Sequence, residues 1–201
     1  LDYHKTMDDY FAAKLRLFLH ETEGGVPFDD KAQAVNADDP YGRRILSMKA
    51  GGVGYGLVEP PVSGSRHLRG NILSMSPEGV HLAMQFEGQS WELRSPLVGG
   101  FNVMNLLGAQ SLGLAMGLRP ADFAALSSFA GVSGRLERIA GKDGLNVFVD
   151  YAHTPDALIK AISSLRAAGF ARVVTVFGCG GNRDRSKRPL MGEAVASLSD
   201  I

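Results

Sequence analysis

Hydrophobic residues recur with two different spacings along this chain, and together the two spacings predict a mixed α/β protein. Within Met7–His20 they fall three and four residues apart, which predicts an amphipathic helix. Leu68–Met75, Gly79–Phe86 and Ser90–Arg94 instead alternate hydrophobic with polar residues and are separated by short polar turns. This alternation predicts an antiparallel meander, which we expect to be scaffold or a small side sheet without chemistry of its own.

Shorter segments complete the predicted order of elements. Lys31–Asn36 and Gly51–Val58 have the composition of short strands, and Pro40 opens a helix after a polar turn. Further helices are predicted at Leu106–Met116 and Pro120–Ala130, the second of them started by its proline.

The last third of the chain has the order of a βαβ unit. After a hinge at 131–134, Leu145–Val149 is an apolar strand, and Thr154 caps a helix predicted over Pro155–Ala168. Val173–Phe177 is a β-branched apolar run, typical of a buried parallel strand. We therefore expect a right-handed parallel crossover.

A glycine-rich turn followed by cations comes directly after this run. The turn is Gly178-Cys179-Gly180-Gly181, where the backbone can approach a ligand closely. The cationic side chains that follow are Arg183, Arg185, Lys187 and Arg188. Ligands of open α/β sheets bind beyond the carboxyl ends of the strands, and Arg offers two parallel donors to a carboxylate or phosphate. The turn therefore predicts an anion site; the alternative is a solvated basic loop.

Two further pairs of polar residues are candidates for a nucleotide site. Asp150 and His153 follow the strand that ends at Val149, so they would line one crevice with Arg183. Asn102 and Asn105 lie three residues apart and share one face of the first turn of a helix. An amide offers both a donor and an acceptor, which suits an adenine edge, although both residues are equally suited to capping the helix.

Lys14 lies on or beside the apolar stripe of the first helix. It follows Tyr10 by four residues and Phe11 by three, and it precedes Phe18 by four. A lysine held on such a stripe loses solvation, which favours its neutral amine. The alternative is a side chain that snorkels at the edge of a buried face.

Composition narrows the possible classes of protein. Lys plus Arg and Asp plus Glu both number 21, so no overall charge points to nucleic acid or to a membrane surface. The single cysteine excludes an intrachain disulfide framework and fits a reducing cytosol. With neither a signal peptide nor a long apolar run, we expect a cytoplasmic protein. The chain has no initiator Met and ends in what looks like an incomplete αβ unit, so we expect a piece of a longer enzyme.

Several blocks of residues resemble the Mur ligases of peptidoglycan synthesis, in the same order and over nearly the whole chain. The two most specific are Asp150-Tyr151-Ala152-His153-Thr154-Pro155 and Gly178-Cys179-Gly180-Gly181-Asn182-Arg183-Asp184 with Lys187-Arg188-Pro189. The other blocks are Leu1-Asp2-Tyr3-His4, Tyr10-Phe11-Ala12-Ala13-Lys14, Asn36-Ala37-Asp38-Asp39-Pro40, Phe101-Asn102-Val103-Met104-Asn105 and Gly134-Arg135-Leu136-Glu137.

This resemblance implies a partial three-layer nucleotide-binding central domain over residues 1–133 and the first half of a Rossmann-like C-terminal domain over 134–201. The implied reaction uses ATP and Mg²⁺ to join meso-diaminopimelate to UDP-MurNAc-L-Ala-D-Glu through an acyl phosphate. The implied partners are these two substrates, without nucleic acid or membrane, and the implied parent is a monomer.

The resemblance also implies roles for individual residues. Lys14, carbamylated, helps to hold Mg²⁺ and belongs to the catalytic set with Arg135 and His153. Asn102, Asn105 and Asp150 contact the nucleotide. Arg183, assisted by Lys187 and Arg188, binds the incoming diamino acid.

Some features depart from the family pattern. The phosphate-binding loop Gly-x-x-Gly-Lys-Thr/Ser is absent from the chain, and Asn182 stands where the family usually has Asp. L-Lysine remains an alternative amino-acid substrate. Folylpolyglutamate synthetase shares the reaction type, but Tyr151 and Thr154 argue against it. A nucleotide-binding module without catalysis is the alternative from another class.

Overall fold

The computed structural model of the chain describes residues 5–18, 33–48, 52–59, 65–141, 144–180 and 186–201. These residues divide into two compact units. Unit 1 comprises the described residues up to Ile72 together with Leu82–Leu93 and Met104–Ala124. Unit 2 comprises Leu73–His81, Arg94–Val103 and the described residues from Ala125 to Ile201.

A five-stranded mixed sheet follows the chain order of its strands. The strands are β1 (Ala34–Asn36), β2 (Val53–Gly56), β3 (His67–Ser76), β4 (Gly79–Phe86) and β5 (Gln89–Ser95). β1, β2 and β3 run parallel. β3, β4 and β5 are joined by two-residue turns, a connection that only antiparallel neighbours allow. The predicted meander is present, but it continues the parallel strands and is not a separate side sheet, because the pairing of β2 with β3 is a long-range contact that no local pattern encodes.

Helices in the first part of the chain are α1 (Met7–Phe18), α2 (Pro40–Met48) and α3 (Gly100–Ala115), followed by a 3-10 helix at Pro120–Ser127. α2 begins at its proline, as predicted, and the Asp39 carboxylate caps it by accepting from the amides of the next turn. α3 begins earlier than predicted. The segment predicted as an ordinary helix from Pro120 is 3-10.

Close packing of helix on sheet builds unit 1. A Cβ atom at Gly42 of α2 would lie 1.7 Å from the carbonyl oxygen of Asn36 at the end of β1, so only glycine allows this approach. The neighbouring Asp38 carboxylate accepts from the amides of Leu57 and Val58 at 2.8 and 3.3 Å, which joins the ends of β1 and β2.

Trp91 links β5 to the helical layer of unit 1. Its indole N–H donates to Oε1 of Gln110 on α3 at 2.9 Å, and Gln110 is itself fully buried. The Trp91 ring also stacks with Phe123 of the 3-10 helix, at 6.3 Å between centroids. The Nε2 of Gln110 donates to the carbonyl of Leu106 at 3.2 Å, so both ends of this buried amide have hydrogen-bond partners.

Unit 2 contains a two-stranded antiparallel sheet and two helices. β6 (Glu137–Ala140) pairs with β7 (Asn146–Val149), and β6 was missed from the sequence. α4 (Pro155–Ala167) has the predicted cap, with Thr154 Oγ1 accepting from the amide of Ala157 at 3.2 Å. α5 (Lys187–Leu198) packs against α4, and the buried residues of their common core are Leu158, Ile162, Val173, Met191 and Val195.

The predicted parallel strand at Val173–Phe177 is wrong for the described residues. The segment is extended but is not assigned as a strand, and among the described strands β7 pairs with β6 alone. Its backbone bonds join Val173 to Asp200 and Thr175 to Ile201. Val173 is buried, whereas Val176 is 96% exposed. The predicted parallel crossover is therefore not formed.

Candidate functional site

The arginine turn, residues Ser133–Glu137, leads into β6 and carries Arg135 on its exposed side. The Arg135 amide donates to the carbonyl of Val132 at 3.0 Å. The carbonyl of Gly134 accepts from the amide of Tyr151 at 2.8 Å. This second bond ties the turn to the segment that follows β7, so Arg135 and the Asp150–His153 segment, which are distant in sequence, lie together.

Asp150 makes a further tie to the arginine turn. Its Oδ2 accepts from the amide of Leu136 and its Oδ1 from the amide of Ala152, both at 2.8 Å. Each carboxylate oxygen thus binds backbone of its own chain. A carboxylate offers about four lone-pair sites, so the predicted contact of Asp150 with a nucleotide is still compatible with these bonds.

An exposed aromatic ring accompanies Arg135. The guanidinium carbon of Arg135 lies 5.8 Å from the centroid of the Tyr151 ring, within the range of a cation–π contact. The His153 ring meets the same tyrosine edge-on at 5.1 Å, and its Nδ1 lies 2.9 Å from the Tyr151 carbonyl oxygen. The sequence motif that contains Tyr151 did not indicate a contact for this side chain. Tyr151 is 68% exposed and lies against Arg135, so it is a further candidate residue of this site.

Glu137 also holds the arginine turn. Its Oε2 accepts from the amide of Gly134 and from the hydroxyl of Ser133, both at 2.8 Å. The Gly134 amide and then the Ser133 hydroxyl lower the pKa of Glu137 below its ordinary value of 4.5. The carboxylate is therefore ionised at neutral pH and keeps both bonds. Sequence analysis named this residue only as part of a motif.

A cavity of about 630 Å³ separates β7 from the extended segment that was predicted to pair with it. Asp150 and Ala152 lie on one wall and Gly178 on another. The structure thus brings the first predicted strand end and the start of the glycine turn to one cavity. Most of its lining is hydrophobic, and Asp150, Arg172 and Thr175 are among its polar members.

The predicted anion site is described only in part. Gly181–Arg185, and with it Arg183, lie outside the described residues. Lys187 and Arg188 form the beginning of α5, where Lys187 is half-buried and Arg188 exposed. Cys179 is half-buried with its sulfur 3.7 Å from that of Met191, which suits a small residue that fills a tight turn.

Asn102 and Asn105 differ in exposure more than their predicted common face implies. α3 begins at Gly100, so both residues lie inside the helix and neither is its N-cap. Asn102 is buried, and its Nδ2 donates to the carbonyl of Val98 at 2.9 Å. Asn105 is exposed. The helix therefore presents Asn105, rather than Asn102, to a ligand in solution.

Lys14 is exposed on α1, with its Nζ 5.5 Å from the centroid of the Tyr10 ring. Phe11 is the buried residue of this helix, with Leu15 and Phe18 packed partly against the same core. Lys14 is therefore not desolvated on a buried stripe, and its exposure agrees with the alternative of a side chain at the edge of the buried face, which centres on Phe11. The described residues contain no group of three or more His, Cys, Asp or Glu side chains placed to hold a metal ion.

The predicted residues fall in different units. Lys14 and Asn105 belong to unit 1, whereas Arg135, Asp150 and His153 belong to unit 2. Among the predicted residues that the structure describes, Arg135, Asp150 and His153 lie in one hydrogen-bonded cluster. No described helix is both long and apolar enough to span a membrane.

Comparison with protein families gives two matches that together cover most of the chain. Residues 1–113 match the Mur ligase middle domain, and residues 134–201 match the Mur ligase glutamate ligase domain. The Arg135 cluster of unit 2 lies within the second match.

Curated relatives match the chain over its whole length. The UDP-N-acetylmuramoyl-L-alanyl-D-glutamate–2,6-diaminopimelate ligase of Lawsonia intracellularis is 51% identical over 201 residues, which are 100% of this chain and 41% of the relative. The ligase of the same name from Synechococcus elongatus is 43% identical over 203 residues, 100% of this chain and 39% of that one. The chain thus spans about two fifths of the length of these relatives.

Solved structures agree with the sequence matches. A structure of a ligase with that same name has a TM-score of 0.66 at 29% identity and covers 98% of this chain and 39% of its own. The UDP-N-acetylmuramate–alanine ligase of Thermotoga maritima has a TM-score of 0.68 at 21% identity, with 98% and 40% covered. The second likeness shows the fold alone. The predicted α/β fold class is confirmed.

Proposed function

Because the chain belongs to the Mur ligase family, we propose that it is part of an ATP-dependent ligase that joins meso-diaminopimelate to UDP-MurNAc-L-Ala-D-Glu in peptidoglycan precursor synthesis. The observation that carries this proposal is the 51% identity, over every residue of the chain, to a relative named as the diaminopimelate ligase. The limits of the two family matches support a domain division near residue 133.

The proposed reaction has two steps. The D-glutamyl carboxylate first attacks the γ-phosphorus of ATP, which forms an acyl phosphate and releases ADP. An amine of diaminopimelate then attacks the acyl carbon, and phosphate leaves. Both steps develop negative charge on phosphoryl oxygens, which fixed cations stabilise. We propose that the exposed guanidinium of Arg135, which lies over the ring of Tyr151, supplies one of these cations.

The remaining assignments rest on matching motifs. We propose that Asn102, Asn105 and Asp150 contact the nucleotide, with His153 beside them. We also propose that the parent uses Mg²⁺. The reaction would take place in the cytoplasm, in a monomeric parent.

An assay of the full-length parent tests the function. We expect ADP release that requires UDP-MurNAc-L-Ala-D-Glu and is faster with meso-diaminopimelate than with L-lysine. Release that ignores the nucleotide, or that appears only with folate and glutamate, contradicts the proposal and favours the synthetase alternative.

Arg183 is proposed to bind a carboxylate of diaminopimelate. Loss of a charge-assisted pair costs roughly 1.5–3 kcal/mol, so Arg183→Ala should raise the KM for diaminopimelate about tenfold or more. Arg119→Ala is the matched control, since its exposed side chain forms an ion pair with Asp122. An unchanged KM for diaminopimelate together with a raised KM for ATP reassigns Arg183 to phosphate.

Lys14 is proposed to carry a carbamate, formed when its neutral amine adds CO₂ and loses a proton. Lys14 is exposed, so desolvation does not favour its neutral amine. The matching motif alone supports this role. We expect Lys14→Ala to lose activity and to regain part of it with added short carboxylates, whereas Lys160→Ala should behave as wild type. A fully active Lys14→Ala enzyme that ignores bicarbonate rules the carbamate out.

A further inference from the structure

The arginine turn contains an unusual backbone conformation at a bulky residue. Leu136 has a φ of 44°, and apart from Glu87 it is the one non-glycine residue with positive φ that the structure records in its described part. Gly134, two residues earlier, has a φ of 69°. Glycine takes this conformation freely, but a leucine persists there only where its surroundings hold it.

Two carboxylates bind the backbone of this turn and its neighbours. Asp150 binds the amide of Leu136 through Oδ2 and that of Ala152 through Oδ1, at 2.8 Å each. Glu137 binds the amide of Gly134 and the hydroxyl of Ser133, and it uses the same atom, Oε2, for both. Charge-assisted bonds of this kind are stronger than neutral ones.

The conformation they hold decides where neighbouring side chains lie. Leu136 is 7% exposed and packs in one cluster with Val98 and Ala168. Arg135, one residue earlier, is exposed and lies over the ring of Tyr151. If the turn relaxed to an ordinary conformation, the burial of Leu136 and the placement of Arg135 could not both be kept.

We propose that Asp150 and Glu137 are positioning residues, which hold Leu136 in its left-handed conformation and thereby fix the guanidinium of Arg135 on Tyr151. This inference rests on the proposed function, in which Arg135 acts on the phosphoryl group. It gives Asp150 a duty that does not require contact with the nucleotide, and it assigns roles to Glu137 and Leu136.

A double-mutant cycle in the full-length parent tests the inference. Asp150→Asn should lower kcat for ADP release about tenfold while Arg135 is present, because the new amide group meets one of the two backbone N–H donors. In the Arg135→Ala background the same substitution should lower kcat less than twofold, since there is no guanidinium left to position. Asp122→Asn is the matched control: that carboxylate also accepts from a backbone amide, at 2.8 Å from Arg119, and its effect should not depend on Arg135.

Glu137 provides a second, sharper comparison. Glu137→Gln should retain activity within about twofold, because one amide oxygen can accept both bonds that Oε2 now accepts, whereas Glu137→Ala should lose activity about as Asp150→Asn does. Equal losses in Asp150→Asn and Glu137→Gln would indicate a role of charge and overturn the inference. So would an Asp150→Asn effect of the same size with and without Arg135, or one that appears only as a raised KM for ATP.

Failure of the inference is distinguishable from failure of the proposed function. If wild-type parent does not release ADP with UDP-MurNAc-L-Ala-D-Glu, the function is wrong, and the same cycle is then measured as ATP affinity by calorimetry. If wild type is active and the variants combine additively, the function stands and the positioning role is overturned.

Discussion

At the residue scale, His67 is a buried histidine at the beginning of β3. It is 9% exposed, and neither ring nitrogen makes a hydrogen bond of ordinary geometry in the described structure. Burial lowers its pKa below the ordinary value of 6.5, since desolvation disfavours the charged imidazolium. The Val58 backbone and the carboxylates of Asp38 and Glu59 oppose this shift, and burial prevails.

The stability of unit 1 should therefore fall as the solution is acidified. A histidine whose pKa is lower in the folded state contributes stability that is fully present above 6.5 and is lost as the pH falls through the folded-state value. In that range the unfolded chain binds the proton and the folded chain does not. We expect urea unfolding at pH 7.5 and pH 5.5 to show a larger loss for wild type than for His67→Gln. Equal losses in the two proteins would contradict this.

Interactions between residues close in sequence could be predicted from the sequence, whereas the exposure of individual side chains could not. The Thr154 cap is confirmed because a cap depends on neighbours in sequence. The two alternatives for Lys14 stayed open because helical spacing gives a stripe but does not tell which edge of it other elements cover. The ties of Asp150 to Leu136 were invisible, since they join residues far apart in sequence and depend on a positive φ that no leucine predicts.

At the element scale, glycines in two helices face opposite surroundings. Gly42 of α2 lies against the backbone of β1, where an added Cβ would meet the Asn36 oxygen at 1.7 Å. Gly192 lies in α5, and an added Cβ there meets nothing within 4 Å. The same substitution thus tests packing in one helix and intrinsic helix propensity in the other.

Gly42→Ala should destabilise the protein by roughly 1–3 kcal/mol or more, because a backbone carbonyl cannot move aside as a flexible side chain can. Gly192→Ala should stabilise it by about 0.5–1 kcal/mol, since alanine loses less conformational entropy in a helix. Chemical unfolding of both variants measures the two effects. Similar changes in the two proteins would show that the α2–β1 contact is looser than described.

The sequence predicted helices and strands with strong hydrophobic periodicity well, but it did not predict which strands pair with each other. α1, β4 and α4 lie close to their predicted bounds. The β-branched run Val173–Phe177 does favour extended backbone locally, and the segment is extended. Pairing with β7 requires an edge at the right distance, however, and a cavity of about 630 Å³ lies between them. Periodicity contains no information on that distance.

At the scale of the whole molecule, the chain covers about 40% of its relatives and divides into two units. It contains no Gly-x-x-Gly-Lys-Thr/Ser sequence, the loop whose amides and lysine hold the β- and γ-phosphates in sites of this class. Positioning and electrostatics supply most of the catalysis of phosphoryl transfer, so the loss of this loop is decisive.

These 201 residues alone should therefore bind ATP weakly, without dependence on Mg²⁺, and should not form ADP. Calorimetric titration with and without Mg²⁺ and an ADP assay measure this, with the full-length parent as positive control. Micromolar, Mg²⁺-dependent binding with substrate-stimulated turnover would show that the active site lies within this chain.

Tryptophan fluorescence of this chain comes from Trp91 alone, which lies in unit 1. It is the one tryptophan of the sequence, and its contacts with Gln110 and Phe123 all lie in unit 1. When unit 1 opens, the indole loses its hydrogen bond and its stacked ring, and its emission shifts toward that of a hydrated tryptophan. A melt followed by tryptophan emission thus reports on unit 1, whereas one followed by circular dichroism reports on both units. Any difference between the two curves belongs to unit 2.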